Sequence, residues 1–362
     1  MKDGTPHGYS PVADHERAEK LIAWAKKTYP INPRRVYLWG RGEGAKMVGE
    51  FGAEHADIIS NIITYSWGFW KMQDVKEPAL NIPDYYIVLG LKDLATHFKT
   101  VRETYVRVKT HGYNMIYREA EGLGGPTKHQ PTNDDAILWA TRSRHKTMAF
   151  SAAEAALIKP YSVENATLDL AGIDALILVG GRQAGAVLAP LLDSKTEATR
   201  LLSVKTCAEA NFGPETAAAL AKKLADTSTE VRISAIGALG VQANWRNMPA
   251  QDALCQIATD KTWNTAERAL ALGAIGVAVK FQVKGFYQDL PLIKALITVL
   301  DDDDAALRAK AFAILSPAMA STYKPDASKD DRKAEIAKWT EWVDALPAKQ
   351  VPPPPVPKPV AK

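Results

Sequence analysis

Four arginines, Arg200, Arg232, Arg268 and Arg308, follow one another at intervals of 32, 36 and 40 residues, and the same phrase recurs around each. Three positions after each arginine stands a small residue: Ser203, Ala235, Ala271 and Ala311. Before each lies a leucine-rich stretch ending in aspartate, at 188–193, 220–226, 254–260 and 296–301. A period of roughly 35 residues in an Ala- and Leu-rich stretch, without alternation of apolar and polar residues, predicts stacked helix pairs. Such units cannot bury their apolar faces alone. Each must stack on its neighbours, and four copies are enough to enclose a continuous core.

The best copies, Asp226 to Gly240 and Arg268 to Gly276, resemble HEAT repeats. In that reading the aspartate suits the turn between helices, and the arginine bonds it or a neighbouring carbonyl. The small residue lets paired helices approach closely. Arg200, Arg232, Arg268 and Arg308 are therefore read as structural repeat positions. A solenoid of this kind offers an extended concave surface, so the expected partner is a protein segment. Leu168 to Val179 is either a buried helix or a worn first repeat.

The first 148 residues have a different pattern. Asp14 opens a helix whose face carries Ala18, Leu21, Ile22 and Ala25, and Tyr29-Pro30 closes it. An apolar strand at 36–39 runs into Gly40-Arg41-Gly42-Glu43-Gly44, followed by a helix with Ala45, Val48, Gly49 and Phe51 on one side. Further strands are expected at 58–65, 85–90 and 114–119, with a helix at 100–109 between the last two. Strands alternating with helices predict a parallel α/β sheet.

Tyr29 to Gly40, Gly90-Leu91-Lys92-Asp93 and His111-Gly112-Tyr113-Asn114 together make this region similar to the C-terminal half of an α/β-hydrolase domain. The type is that of feruloyl esterases and polyhydroxybutyrate depolymerases, and the likeness spans roughly residues 8–145, about a third of the chain. In the nucleophile elbow of such enzymes, G-x-S-x-G, the middle residue is the nucleophile on a strained strand-to-helix turn. Carried over by position, the family's serine falls on Gly42, its acid on Asp93 and its histidine on Gly125. With glycine at two triad positions, an acyl-enzyme cannot form at Gly42, and Asp93 has no base to orient. The resemblance thus implies a degenerate, non-catalytic domain.

Other readings attach to neighbouring residues. His129 could enter the vacant histidine place and Glu43 could serve as a carboxylate for a water-activated reaction; the plainer reading puts His129 in a polar loop and Glu43 at a helix start. An ester hydrolase with a displaced nucleophile would need a residue such as Thr64 or Ser66. Trp67, Phe69 and Trp70 either line a pocket, which would suit a glycan or polymer ligand, or cap the sheet. Only about 35 residues precede the elbow, too few for the strands a hydrolase sheet carries there. Either another segment covers the resulting sheet edge or the sequence is part of a longer product.

Composition narrows the remaining classes. With 45 basic against 41 acidic residues and no basic cluster, nucleic-acid binding is not expected. No run is long and apolar enough for a membrane span. Cys207 and Cys255 read as small core residues without a second pair for a metal. Asp301 to Asp304 lacks the glycine and terminal glutamate of a calcium loop and reads as a solvated turn. No cofactor or metal is expected. Met1 is followed by polar residues and no signal-peptide core, whereas the esterase relatives are typically secreted, which suggests a periplasmic or secreted protein if an N-terminal portion is missing.

The expected fold is α/β plus all-α: a partial α/β-hydrolase-like parallel sheet followed by a HEAT-type α-solenoid. The expected boundaries are 1–148 for the α/β region, 149–320 for the repeats, 321–350 for a C-terminal helix and linker, and 351–362 for a proline-rich tail.

Overall fold

The computed structural model describes residues 10–66, 83–90, 92–93, 101–102, 105, 114–120, 123, 130–245, 247–279 and 289–350. Its N-terminal part is built on four strands, β1 (Tyr37–Arg41), β2 (Asn61–Tyr65), β3 (Asp84–Gly90) and β4 (Met115–Ala120). They form one parallel sheet in the order β1-β2-β3-β4, with Arg41 beside Tyr65, Tyr65 beside Val88 and Val88 beside Arg118. All residues of β2, β3 and β4 are buried, which is why these strands are rich in β-branched and aromatic residues on both faces, with Arg118 and Glu119 the charges inside β4.

Helices cover both faces of the sheet. Helix α1 (Pro11–Thr28) begins with proline at a position where the missing amide costs nothing, and it ends just before Tyr29-Pro30. Helix α2 (Glu43–Glu54) lays Val48 and Phe51 on Ile62, Tyr85 and Ile87, and the helical residues Val101 and Tyr105 join the same layer. On the opposite face, α3 (Gln130–Arg142) packs Ala136, Trp139 and Ala140 against Ile63, Tyr86 and Val88. The expected apolar face of α1 requires correction. Ala18 and Ile22 pack inward, but Leu21 is 61% exposed and His15 is the helix's one buried residue.

From Ser151 onward the chain is helical. Ser151 and Glu154 form a capping box that starts α4 (Ala152–Ile158). Ten helices follow in five pairs: α5 (Leu170–Val179) with α6 (Gly181–Leu192), α7 (Glu197–Cys207) with α8 (Pro214–Lys222), α9 (Thr229–Asn244) with α10 (Met248–Thr259), α11 (Thr265–Val279) with α12 (Leu290–Val299), and α13 (Ala305–Leu315) with α14 (Lys329–Gln350). First helices stack on first helices and second on second, giving two parallel rows. Leu168 to Val179 thus largely coincides with the first helix of the first pair. The small residues Ser203, Ala235, Ala271 and Ala311 are all fully buried where the rows meet. One apolar cluster runs from Ile158 to Leu346 without a break between pairs.

The two parts of the chain are locked together by arginines. The C-terminal carbonyls of α5 have no partner within their helix. Arg144 donates to Ile177 O and Leu178 O at 2.9 and 3.0 Å, and Arg34 to Val179 O and Gly180 O at 3.1 and 3.3 Å. Arg34, fully buried, also pairs with Glu154 at 2.9 Å. On the α3 face of the sheet, Arg118 of β4 donates to the backbone and side-chain oxygens of Asn244 at 3.1 and 3.0 Å, while Trp245 packs into the sheet's own core. Asp135 of α3 accepts from both Tyr86 and Asn244.

Candidate functional site

Ligands of open parallel sheets bind outside the carboxyl ends of the strands. Here that edge carries Gly42, Ser66 and Asp93. Gly42 sits between β1 and α2 with φ 55° and ψ −125°, a left-handed backbone that side chains rarely adopt. Its amide donates to Tyr65 O at 3.0 Å, and its carbonyl receives the first amides of α2. A β-carbon built on Gly42 meets nothing within 4 Å. Backbone strain, not lack of room, therefore opposes a side chain at Gly42. Gly40 answers a different need: a β-carbon there would lie 2.1 Å from the carbonyl oxygen of Gly44, so the close strand-to-helix turn depends on it.

Asp93 stands just past β3 and folds back on its own turn. Its Oδ2 accepts the Gly90 amide at 2.8 Å while its own amide donates to Gly90 O at 2.8 Å. Asp93 and Gly42 lie at the same end of the sheet with β2 between them, about 10 Å apart at two strand spacings. Gly125 and His129, the positions read for the histidine and its substitute, lie outside the described residues, as do Trp67, Phe69 and Trp70. Glu43 is the exposed first residue of α2, where its charge complements the helix dipole.

Thr64 and Ser66, the alternative nucleophiles, are both buried, and among the described residues neither hydroxyl meets a hydrogen-bond partner. Ser66 has φ 59°, one of two non-glycine residues in the left-handed region among the described residues. Its amide donates to Val88 O at 2.9 Å, which fixes it between β1 and β3. Strain in a buried serine is the kind of local cost that concentrates at functional positions, and sequence reading gives no sign of it.

The repeat arginines form a ladder. Arg200 makes a fork with both carboxylate oxygens of Asp226 at 2.7 and 3.0 Å, and its Nη1 donates to Ser194 O and Lys195 O. Arg232 reaches Glu267 in the next pair at 3.0 Å and caps Asp226 O and Thr227 O. Arg268 pairs with Asp302, and Arg308 caps Asp302 O and Asp303 O. Each rung ties an inter-helix turn to the adjoining helix. The carboxyls of Asp226 and Asp302 are held below the usual range, the first by its Arg200 hydrogen bond and the second by Arg268 against the opposing effect of burial.

Asp301 to Asp304 is a turn in which Asp301 and Asp303 are exposed and Asp302 is withdrawn from solvent. Asp302 is only 4% exposed and paired with Arg268, Asp303 bonds Lys261, and Asp304 caps α13 through the amides of Ala306 and Leu307. Among the described residues no group of His, Cys, Asp and Glu is arranged to hold a metal ion. Cys207 is buried and Cys255 partly so, and burial pushes the Cys255 thiol up to about 11. No described helix is long and apolar enough to cross a membrane.

Sequence reading missed the locking residues Arg34, Arg118 and Arg144. Arg118 offered a signal, being a charge inside the apolar run Met115-Ile116-Tyr117 of a buried strand. Arg34 and Arg144 offered none, because the acceptors through which they reach the helical array lie more than 30 residues away and are largely main-chain carbonyls.

No protein-family model matches the chain, and no curated protein matches it. Among solved structures, a designed armadillo repeat protein in complex with the peptide (KR)4 is similar over 54% of this chain and 82% of its own length, with 21% identity and a TM-score of 0.30. An engineered protein is similar over 61% of this chain and 93% of its own, with 14% identity and a TM-score of 0.29. At these TM-scores the likenesses carry no argument. The description of a helical repeat array rests on the chain's own stacked pairs.

Proposed function

We propose that this protein is a non-catalytic scaffold: a degenerate α/β-hydrolase-like region, residues 1–148, seated on a HEAT-type solenoid, residues 149–320, that binds a protein segment. Residues 321–350 supply a linker and the helix that closes the array, Lys329–Gln350, and 351–362 are a proline-rich tail. The observation that carries this reading is Gly42, an elbow with the strained backbone and the open space of a nucleophile position and no side chain to react. Four consecutive parallel strands, with α2 on one face and α3 on the other, support the hydrolase-like assignment. The arginine–acid ladder and buried small residues support the HEAT-type assignment. Fold alone does not give function, so binding is argued from the extended surface that two stacked rows of helices present.

One observation favours a second reading. Ser66, strained, buried and without a hydroxyl partner among the described residues, is where a displaced ester-hydrolase nucleophile would stand. A single assay separates the two. The purified chain is offered short-chain and aryl esters, alongside Ser66→Ala, Asp93→Ala and His129→Ala, with melting curves for each. The scaffold reading expects a folded protein without turnover. Turnover that disappears in Ser66→Ala or Asp93→Ala while the variants still melt cooperatively overturns it.

A further inference from the structure

The chain passes from the sheet to the helical array through residues 143–151, between α3 and α4, and a histidine stands inside that passage. Among the described residues, His15 and His55 meet the carboxylates of Glu54 and Glu19, contacts that a proton on the ring strengthens. His145 meets backbone groups instead. It is 5% exposed, its Nδ1 accepts the amides of Met148 at 3.1 Å and Thr147 at 3.3 Å, and its Nε2 lies 2.8 Å from Ala56 O, just past α2. An amide can only donate and a carbonyl can only accept, so these partners assign the ring's one proton to Nε2 and leave Nδ1 bare. The neutral imidazole satisfies both sides.

We infer that His145 is a proton-operated catch on the joint between the sheet and the helical array, closed while the ring is neutral and opened when it gains a second proton. That proton can go only to Nδ1, where it would point at two N–H groups. The charged groups on the elements that meet at the ring do not compensate the cation. Arg144 and Lys146 flank it in sequence, and Arg34, followed by Arg35, supplies the carbonyl that takes the His145 amide at 3.0 Å. Of the acids, Asp84 is engaged by Lys146 and Glu154 by Arg34, while Asp57, next to Ala56, is exposed. A buried charge without a partner is costly, so protonation drives the ring out and frees both amides.

The turn that the ring holds carries contacts with the first helix pair. Met148, whose amide the ring takes, accepts from Gln183 of α6 through its carbonyl at 3.2 Å, and Arg34 donates to the same Gln183 side chain at 3.3 Å. Arg144, one residue before His145, caps the end of α5. Opening the turn therefore loosens the sheet's hold on the first pair, while Arg118 keeps the third pair attached through Asn244. Histidine is the side chain whose charge ordinarily changes between about pH 5 and pH 8, so the catch acts at milder acidity than the carboxylates of the ladder.

The opening is local, so its readout is amide exchange of the full chain and not the melting temperature. Between about pH 7.5 and about pH 5.5, and after correction for the intrinsic rate, the Thr147 and Met148 amides should lose protection by about tenfold or more, with the amides of α9 unchanged. His145→Asn places a carbonyl oxygen where Nδ1 stands and cannot be protonated, so both amides should stay protected at either pH. Nitrogen NMR of the histidine rings should show the neutral-pH proton of His145 on Nε2. Protection that persists at the lower pH overturns the inference, as does an equal loss in His145→Asn or a proton found on Nδ1 at neutral pH. If asparagine fails to hold the turn, the wild-type ring decides: Nδ1 must gain its proton within about one pH unit of the loss of protection, and a wider gap overturns the inference.

Discussion

The two ends of the sheet satisfy their polar groups to different degrees. At the amino end, Arg34 and Arg144 are buried and direct their terminal guanidinium nitrogens to helix carbonyls and to Glu154, with only the Nε of each lacking a partner among the described residues. At the carboxyl end, Thr64 and Ser66 are buried with hydroxyls that meet no partner among the described residues, and Gly42 holds a strained turn with no side chain. Buried polar groups are normally paired because leaving one unmade costs more than a made one contributes. The amino end therefore joins the sheet to the helical array. The carboxyl end instead holds a strained turn and two buried hydroxyls without a partner among the described residues.

The largest test of that contrast is Arg34→Ala. It takes the guanidinium away from Glu154, leaving the carboxylate Asn32 and Ser151, and removes donors from Val179 and Gly180, so a loss of about 3–5 kcal/mol is expected, seen as a large fall in melting temperature. Arg34→Lys should recover little of it, because one ammonium cannot reproduce the fork. A result under about 1 kcal/mol would mean that Arg144, Arg118 and apolar contacts hold the two halves without Arg34.

Acid should attack the same joints next. Glu154, Asp226 and Asp302 have carboxyls held below their ordinary values of 4.5, 3.8 and 3.8 in the folded chain. A lowered carboxyl contributes stability that is complete above its unfolded pKa and is lost as pH falls through the folded one. Melting temperature should hold steady down to about pH 5 and then fall progressively below about pH 4. In Arg268→Ala the acid-dependent fall should be shallower, since Asp302 loses the partner that keeps it ionised.

The smallest effects belong to the carboxyl end, and they should differ in sign. Gly42→Ala forces a side chain into left-handed backbone at a cost of about 1–2 kcal/mol, although the space is open. Ser66→Gly relieves the same kind of strain and leaves no hydroxyl unpaired, so it should be neutral or stabilising by up to about 1 kcal/mol. If Ser66→Gly destabilises clearly, its hydroxyl has a partner that matters.

Much of this architecture was legible because it obeys short-range rules. The strands fell where β-branched and aromatic runs stood, and the helix pairs where Arg and a small residue recurred at fixed spacing. The strand-to-helix turn at Gly40 and Gly42 was legible from its glycine spacing, since Gly40 has no room for a β-carbon and Gly42 holds a positive φ. Long-range pairing was not legible. Nothing local to Asp302 tells that Arg268, 34 residues earlier, buries it. Leu21 matches an inward helical face by period and yet is exposed, because periodicity shows which residues share a face and not whether another element lies against it.

The capping of α5 has a consequence for how the molecule comes apart. An array of repeats is held by interfaces between neighbours, and left to itself it can fray from either end. Here the last carbonyls of the first pair's leading helix are occupied by arginines from a separate layer, and Asn244 of the third pair is held by Arg118 as well. The array is thus fastened at one end. Its opening has a direction, from α14 inward, and a pull on the far pairs is resisted at the sheet.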